Sequence, residues 1–306
     1  MRRLVVTLGT LSLLLVGLSA CGDDDGSSND GSVTVAGDFG EAPKVTYDGQ
    51  VDVSKTETTV LTEGDGAKIA DDGSAMVHLY IGNGYTGEKA LSSWDQKTPQ
   101  VVTLTDQTLT ALKDAIAGHT VGSRVQVLAT PKDAFEGQGS PELYIGNKDS
   151  VVFVVDIMGE VLKAPQGAEK TVPKAYPVPV EKDGKVTGLK FARGAKPPKA
   201  LRVVTLVEGE GPAIKKKDYA VVRYLGQTYD GKKPFDESFS SDQLEARQVG
   251  VGGYIKGWDQ GLVGVKQGSR VLVLVPPKYG YGKKGSGKEI QGNDTLAFVI
   301  DVLGVA

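Results

Sequence analysis

Ile255-Lys256-Gly257-Trp258-Asp259-Gln260-Gly261-Leu262-Val263 is the one helical stretch in the C-terminal part of the chain. Ile255, Trp258 and Leu262 recur at i, i+3 and i+7 on one face, and Gly264 stops the helix. Everything around it has a period of two. Val271, Val273 and Val275 alternate with Leu272 and Leu274, and Phe298, Ile300 and Val302 alternate with Ala297, Val299 and Asp301. Leu201–Val207 and Tyr219–Tyr229 read as two further strands, and Ala246–Val251 as a short fifth. One short helix among strands cannot make a bundle, so the fold class is α+β: an antiparallel β-sheet wrapped around a short α-helix.

The same pattern occurs earlier in the chain, displaced by 144 to 146 residues. Val77-His78-Leu79-Tyr80-Ile81-Gly82 answers Val221-Val222-Arg223-Tyr224-Leu225-Gly226. Gly122-Ser123-Arg124-Val125 answers Gly268-Ser269-Arg270-Val271, and Phe153-Val154-Val155-Asp156 answers Phe298-Val299-Ile300-Asp301. Matches kept in order along a whole segment mean two copies of one fold. We place the first at 56–162 and the second at 200–306. Between them, 163–199 carries six prolines and reads as a semi-stiff linker, to which Val186–Phe191 is expected to add a short strand.

The N-terminus reads as an address. Arg2 and Arg3 precede the apolar run Leu4–Leu18, which is too short to span a bilayer, and Leu18-Ser19-Ala20-Cys21 is similar to a bacterial lipobox. Residues 1–20 are therefore expected to be a signal peptide, with Cys21, the sole cysteine, as the lipidated first residue of an extracytoplasmic, membrane-anchored lipoprotein. Residues 21–55, rich in Gly, Asp and Ser at their start, are expected to be a flexible tether. A net charge of -3 with both signs interspersed offers no face for nucleic acid.

Familiar catalytic motifs are incomplete. Gly282-Lys283-Lys284-Gly285-Ser286-Gly287-Lys288 approaches a phosphate loop, but Glu289 stands where Ser or Thr must bind the metal. Ile255 replaces the third glycine of a dinucleotide turn begun at Gly250-Val251-Gly252. His78 and His119 form neither a zinc set nor a nucleophile–base pair, so no metal and no cofactor is expected.

What remains is an aromatic constellation: Tyr224, Phe235-Asp236, Ile255, Gly257-Trp258, Tyr279-Gly280-Tyr281-Gly282, Ile290 and Phe298. With Gly250–Gly261 and Val275-Pro276-Pro277-Lys278-Tyr279, it resembles the signature of the FKBP-type peptidyl-prolyl cis–trans isomerases, without a gap from Phe235 to Phe298. The resemblance implies an enzyme that rotates Xaa-Pro bonds. Its partners would be proline-containing polypeptides and macrolides of the FK506/rapamycin type. Trp258 would be the floor of the pocket, with Tyr224, Phe235 and Phe298 as its walls. The Ile255 N–H and Tyr281 hydroxyl would donate to peptide carbonyls, Asp236 would orient polar groups at the rim, and Ile290 would overhang the mouth. Tyr254, Glu245 and Glu289 depart from the family pattern and are expected at the mouth, where they bear on substrate preference. An aromatic cluster between sheet and helix is commonly plain core, but buried Trp and Tyr need polar partners and so suit a pocket better.

In the first copy Leu91-Ser92 stands for Phe235-Asp236, Leu112 for Trp258 and Phe135 for Tyr281. That copy is expected to keep the fold, through Leu109, Leu112 and Ile116, and to lack the chemistry. The rival reading of the whole chain is a non-catalytic module that binds clients or a complex on the same scaffold; an intact Trp258, Asp236 and Tyr281 argue against it.

Overall fold

The computed structural model describes residues 31–241, 244 and 246–306. The signal peptide, Cys21 and Glu245 lie outside the described residues. A hairpin of β1 (Ser32–Ala36) and β2 (Lys44–Asp48) comes first. The first domain follows: β3 (Glu57–Thr62), β4 (Ser74–Asn83), β5 (Lys89–Ser92), β6 (Gln100–Thr103), α1 (Thr110–Ile116), β7 (Arg124–Ala129), α2 (Pro131–Phe135) and β8 (Val151–Glu160). A short strand β9 (Gly167–Glu169) and a second hairpin, β10 (Val178–Lys182) with β11 (Lys185–Lys190), lead into the second domain. That domain holds β12 (Arg202–Gly209), β13 (Tyr219–Thr228), β14 (Pro234–Glu237), β15 (Ala246–Gln248), α3 (Lys256–Gly261), β16 (Arg270–Val275) and β17 (Leu296–Val305).

All pairings are antiparallel. The sheets run β3-β7-β8-β4-β5 and β14-β13-β17-β16-β12-β9, with β6 on β4 and β15 on β13. Each concave face closes on its helix, as the sequence predicts. The helix is shorter than expected: α3 starts at Lys256 because Ile255 is extended and caps it, and it ends at Gly261.

Two expectations fail, for one physical reason. Residues 32–48 are not a tether, and 178–190 are more than a linker: the short strand expected at 186–191 is present as β11 but pairs with β10, and each hairpin covers the convex face of the sheet that follows it. In the second domain Val271, Val273 and Val275 pack inward with Trp258, while Leu272 and Leu274 join Val186 and Leu189 in a second core outside. A sheet apolar on both faces must be covered on both.

Buried charge fastens the covers. Arg124 binds Asp156 through two hydrogen bonds of 2.6 and 2.8 Å, with both side chains about completely buried. The same guanidinium donates to the carbonyls of Gly37 and Glu41 in the first hairpin, and Gly40 N–H donates to Asp156. In the second domain Arg270 clasps Asp301 at 2.5 and 2.8 Å and reaches Glu181 of the second hairpin at 2.5 Å. Trp94 and Phe239 lie under the two guanidinium groups at 5.8 and 5.9 Å. The repeated unit is thus hairpin plus domain.

The copies also pair in a register one residue from that read by sequence. Ile81 lies across from Phe153 as Gly226 lies across from Phe298. Leu79 N–H donates to Ser93 Oγ, and Tyr224 N–H to Ser238 Oγ. Along β4 and β5, therefore, Leu79 answers Tyr224, Ile81 answers Gly226, and Ala90-Leu91, not Leu91-Ser92, answers Phe235-Asp236. A slip of one residue exchanges the two faces of a strand. Tyr80 thus points to the convex face, with its hydroxyl 3.4 Å from that of Tyr47.

The domains share a small core of Met76, Val161, Val221, Ala246 and Leu303. Leu162 N–H to Leu303 O (2.8 Å) and Gln267 Nε2 to Glu160 O (3.1 Å) cross the same junction.

Candidate active site

The cup lies between the concave face of the second sheet and α3, a cavity of about 630 Å³. Its floor is Trp258, placed there because α3 turns its Ile255–Trp258–Leu262 face inward. Three rings hold the indole. Tyr224 and Phe298 meet it edge-on with centroids 5.0 and 5.2 Å away, and Tyr254 lies tilted at 5.1 Å. Phe235 meets Phe298 edge-on at 5.7 Å and completes the wall. Such edge contacts contribute about 0.5–1.5 kcal/mol each beyond burial, so the rings support one another around an open space. The Trp258 Nε1–H is buried and finds no acceptor among the described residues.

Room for these rings comes from Gly226, a residue that reading the sequence did not single out as special. A Cβ there would lie 2.6 Å from Phe298 and 2.7 Å from Phe235. In the first domain Ile81 takes this position, and with Leu79 it joins the core. Leu112 packs on that core in place of the indole, and Phe135 turns inward against Phe153 at 6.3 Å. Aliphatic side chains thus fill the space that is a cup in the second domain.

Polar groups stand at the rim. Tyr224 donates to Asp236 Oδ2 at 2.6 Å, and burial, followed by that hydrogen bond, pushes the phenol above its ordinary range. Tyr224 is therefore a fixed donor that orients the carboxylate. The hydroxyl of Tyr281, a residue 40% exposed, has no hydrogen-bond partner among the described residues, and neither does the Ile255 N–H. Asp259 was also missed from the sequence: its carboxylate accepts from Gly250 and Gly252 N–H, both at 2.8 Å, and so pins the loop that carries Tyr254 and Ile255. Acidic residues in a helix's first turn are a signal for such a role.

Of the residues singled out by sequence, Tyr224, Phe235, Asp236, Tyr254, Ile255, Trp258, Tyr281 and Phe298 line this one cup. Ile290 is buried and lines an adjoining pocket with Glu289, next to Phe235, Asp236 and Tyr281. A donor pair above an aromatic floor suits recognition of a small apolar ring bearing carbonyls, and needs no metal ligand or nucleophile.

The family model described as FKBP-type peptidyl-prolyl cis-trans isomerase matches the chain twice, over residues 66–158 and 211–303, together more than half its length. FK506-binding protein 1A of Aspergillus fumigatus is 38% identical over 91 residues, 30% of this chain and 80% of that protein. FKBP-type peptidyl-prolyl cis-trans isomerase FkpA of Escherichia coli is 36% identical over 157 residues, 48% of this chain and 56% of that protein. The crystal structure of the three FKBP domains of wheat FKBP73 aligns with a TM-score of 0.34 and 19% identity, covering 82% of this chain and 94% of that one.

Proposed function

Because this chain belongs to the FKBP-type peptidyl-prolyl cis–trans isomerase family, we propose that its catalysis resides in the second domain alone, in the cup floored by Trp258. The contrast between the two copies of one scaffold supports this reading: Gly226, Trp258 and Tyr281 go with an aromatic cavity, whereas in the first domain Ile81 joins the hydrophobic core and Leu112 and Phe135 pack against it.

Rotation about an Xaa-Pro bond breaks no σ bond; it passes a barrier of about 18–20 kcal/mol set by amide resonance. Water favours the planar, charge-separated amide. A dry aromatic cup withdraws that advantage and so favours the twisted amide, which has lost its resonance. The proline ring lies on Trp258, while Tyr281 Oη and Ile255 N–H hold the flanking carbonyls. A 10⁴-fold acceleration needs about 5.4 kcal/mol, and one donor in a dry site supplies about 3 kcal/mol of it. Macrolides of the FK506 type would occupy the same cup, with Tyr254, packed on the indole and not at the mouth where the sequence places it, and Glu289 in the adjoining pocket tuning affinity.

The enzyme works on the outer face of the cytoplasmic membrane, tethered through acylated Cys21, and assists proline-limited folding there. The lipobox-like Leu18-Ser19-Ala20-Cys21 behind an apolar run supports this. Detergent-phase partition of the wild type, lost in Cys21→Ala, tests the anchor.

Protease-coupled turnover of a proline tetrapeptide by the full chain tests the site. Trp258→Leu, which copies the first domain's floor, should lower kcat/KM by about 100-fold, and Tyr281→Phe by about 10-fold. Wild-type turnover in Trp258→Leu would remove the cup from the reaction.

A further inference from the structure

The cup does not end at its own rim. Arg247 and Gly253 line it and also line a second cavity of about 610 Å³ at the junction of the two domains. The far wall of that cavity is Thr98–Val101 of the first domain; the near wall is β15 and Val251. On these grounds, and resting on the cup as the prolyl site, we infer that the first domain is part of the substrate site: client residues flanking the proline run past Gly253 and Arg247 as an extended strand and pack against Thr98–Val101.

Three features favour an extended polypeptide there. First, the trough meets the cup at Arg247 and Gly253, so a chain whose proline occupies the cup has a way out along it. Second, β6 and β15, which contribute residues to opposite walls, each pair with a single neighbour among the described residues. Unpaired edges are the surfaces to which extended peptides add by main-chain hydrogen bonds. Third, the trough presents apolar surface to solvent, including Val251 at 48% exposure, and Val101 lies on the opposite wall.

The far wall is also fixed in place. The Tyr219 hydroxyl of the second domain donates to the Lys97 carbonyl, at the entry to Thr98–Val101, and the shared core beneath joins the domains. A copy that has lost its own cup thus serves as one side of its neighbour's substrate groove.

The test uses the full-length protein and two peptides with one Xaa-Pro core, a tetrapeptide and an extended peptide of about twelve residues, followed by exchange NMR. Wild-type KM should be at least about fivefold lower for the long peptide. Gln100→Trp on the first domain and Gln248→Trp on β15 opposite it, neither a buried side chain nor part of the cup, should each raise that KM by about fivefold or more while leaving tetrapeptide kcat/KM within about twofold. Unchanged melting temperatures show that both variants fold. Equal KM for the two peptides, or variants that affect both alike or neither, overturns the inference and leaves the cup standing. A wild type that turns over neither peptide overturns the cup, and this inference with it.

Discussion

Replacing Gly226 with alanine asks whether the empty space in the cup is the source of activity. Gly226 lies across from Phe298 on one side and Asp236 on the other. An added Cβ would stand 2.6 Å from Phe298 Cε1 and 2.7 Å from Phe235 Cε2 and Cζ. Carbon atoms in contact keep about 3.5–4.0 Å, so a ring must retreat by about 1 Å. Phe298 is buried and wedged edge-on against Trp258. Phe235, only half-buried, has to swing toward the mouth, losing its contact with Phe298 and dismantling one wall. Overpacking costs about 1–3 kcal/mol, so urea unfolding of the second domain should lose about 2 kcal/mol. An atomic displacement of about 1 Å at a reacting site can cost about 10²-fold, and tetrapeptide kcat/KM should fall by between about 10- and 100-fold. Gly188→Ala, whose Cβ would meet nothing closer than 3.9 Å, serves as the control and should lose neither. If Gly226→Ala matches the wild type in rate and stability, the reasoning about the cup's shape is wrong.

Two further outcomes concern the first domain. Arg124→Met leaves Asp156 buried without its partner and strips two hairpin carbonyls of a donor, so the unfolding free energy followed by Trp94 fluorescence should drop by about 3–5 kcal/mol, while prolyl turnover persists; an unmoved transition would contradict it. His78 is buried, 2.8 Å from Ser93 Oγ and stacked on Trp94, and burial lowers its pKa, with Asp156 pulling the other way. The unfolded state then takes up the proton first, so the stability from neutral His78 is present above the ordinary value of about 6.5 and is lost as pH falls through the lower folded value. Unfolding midpoints measured from neutral to acid pH should show this loss in the wild type and not in His78→Gln; parallel curves would sink it.

The concave half of the second domain was legible in the sequence because its signals are local. The α3 face declares its period within nine residues, and the tract Val275-Pro276-Pro277-Lys278-Tyr279 fixes Tyr281 relative to the strand before it. The convex half was not legible. Leu272, Leu274 and Val299 are apolar where solvent would require polar residues, which signals a cover, but nothing in a single sequence says which distant segment supplies it. The hairpins at 32–48 and 178–190 do so through contacts far apart in the chain, and proline content disguised the second as a linker. The one-residue shift in the repeat has a similar origin. Matching Tyr80 to Tyr224 by identity ignores the pleat, whereas the Arg124–Asp156 and Arg270–Asp301 pairs show which residues stand across from one another. Gly226 escaped notice because its importance lies in what it leaves out.

The chain holds two tryptophans, Trp94 in the first domain and Trp258 in the second, so its indole N–H spectrum carries one reporter for each. Titrating an ¹⁵N-labelled sample with a proline tetrapeptide, too short to reach the first domain, tests most directly where the imide is bound. The Trp258 resonance should shift and saturate with the same affinity that governs turnover, while the Trp94 resonance stays still. Movement of Trp94 with Trp258 unperturbed would place the reaction in the wrong domain and contradict the account.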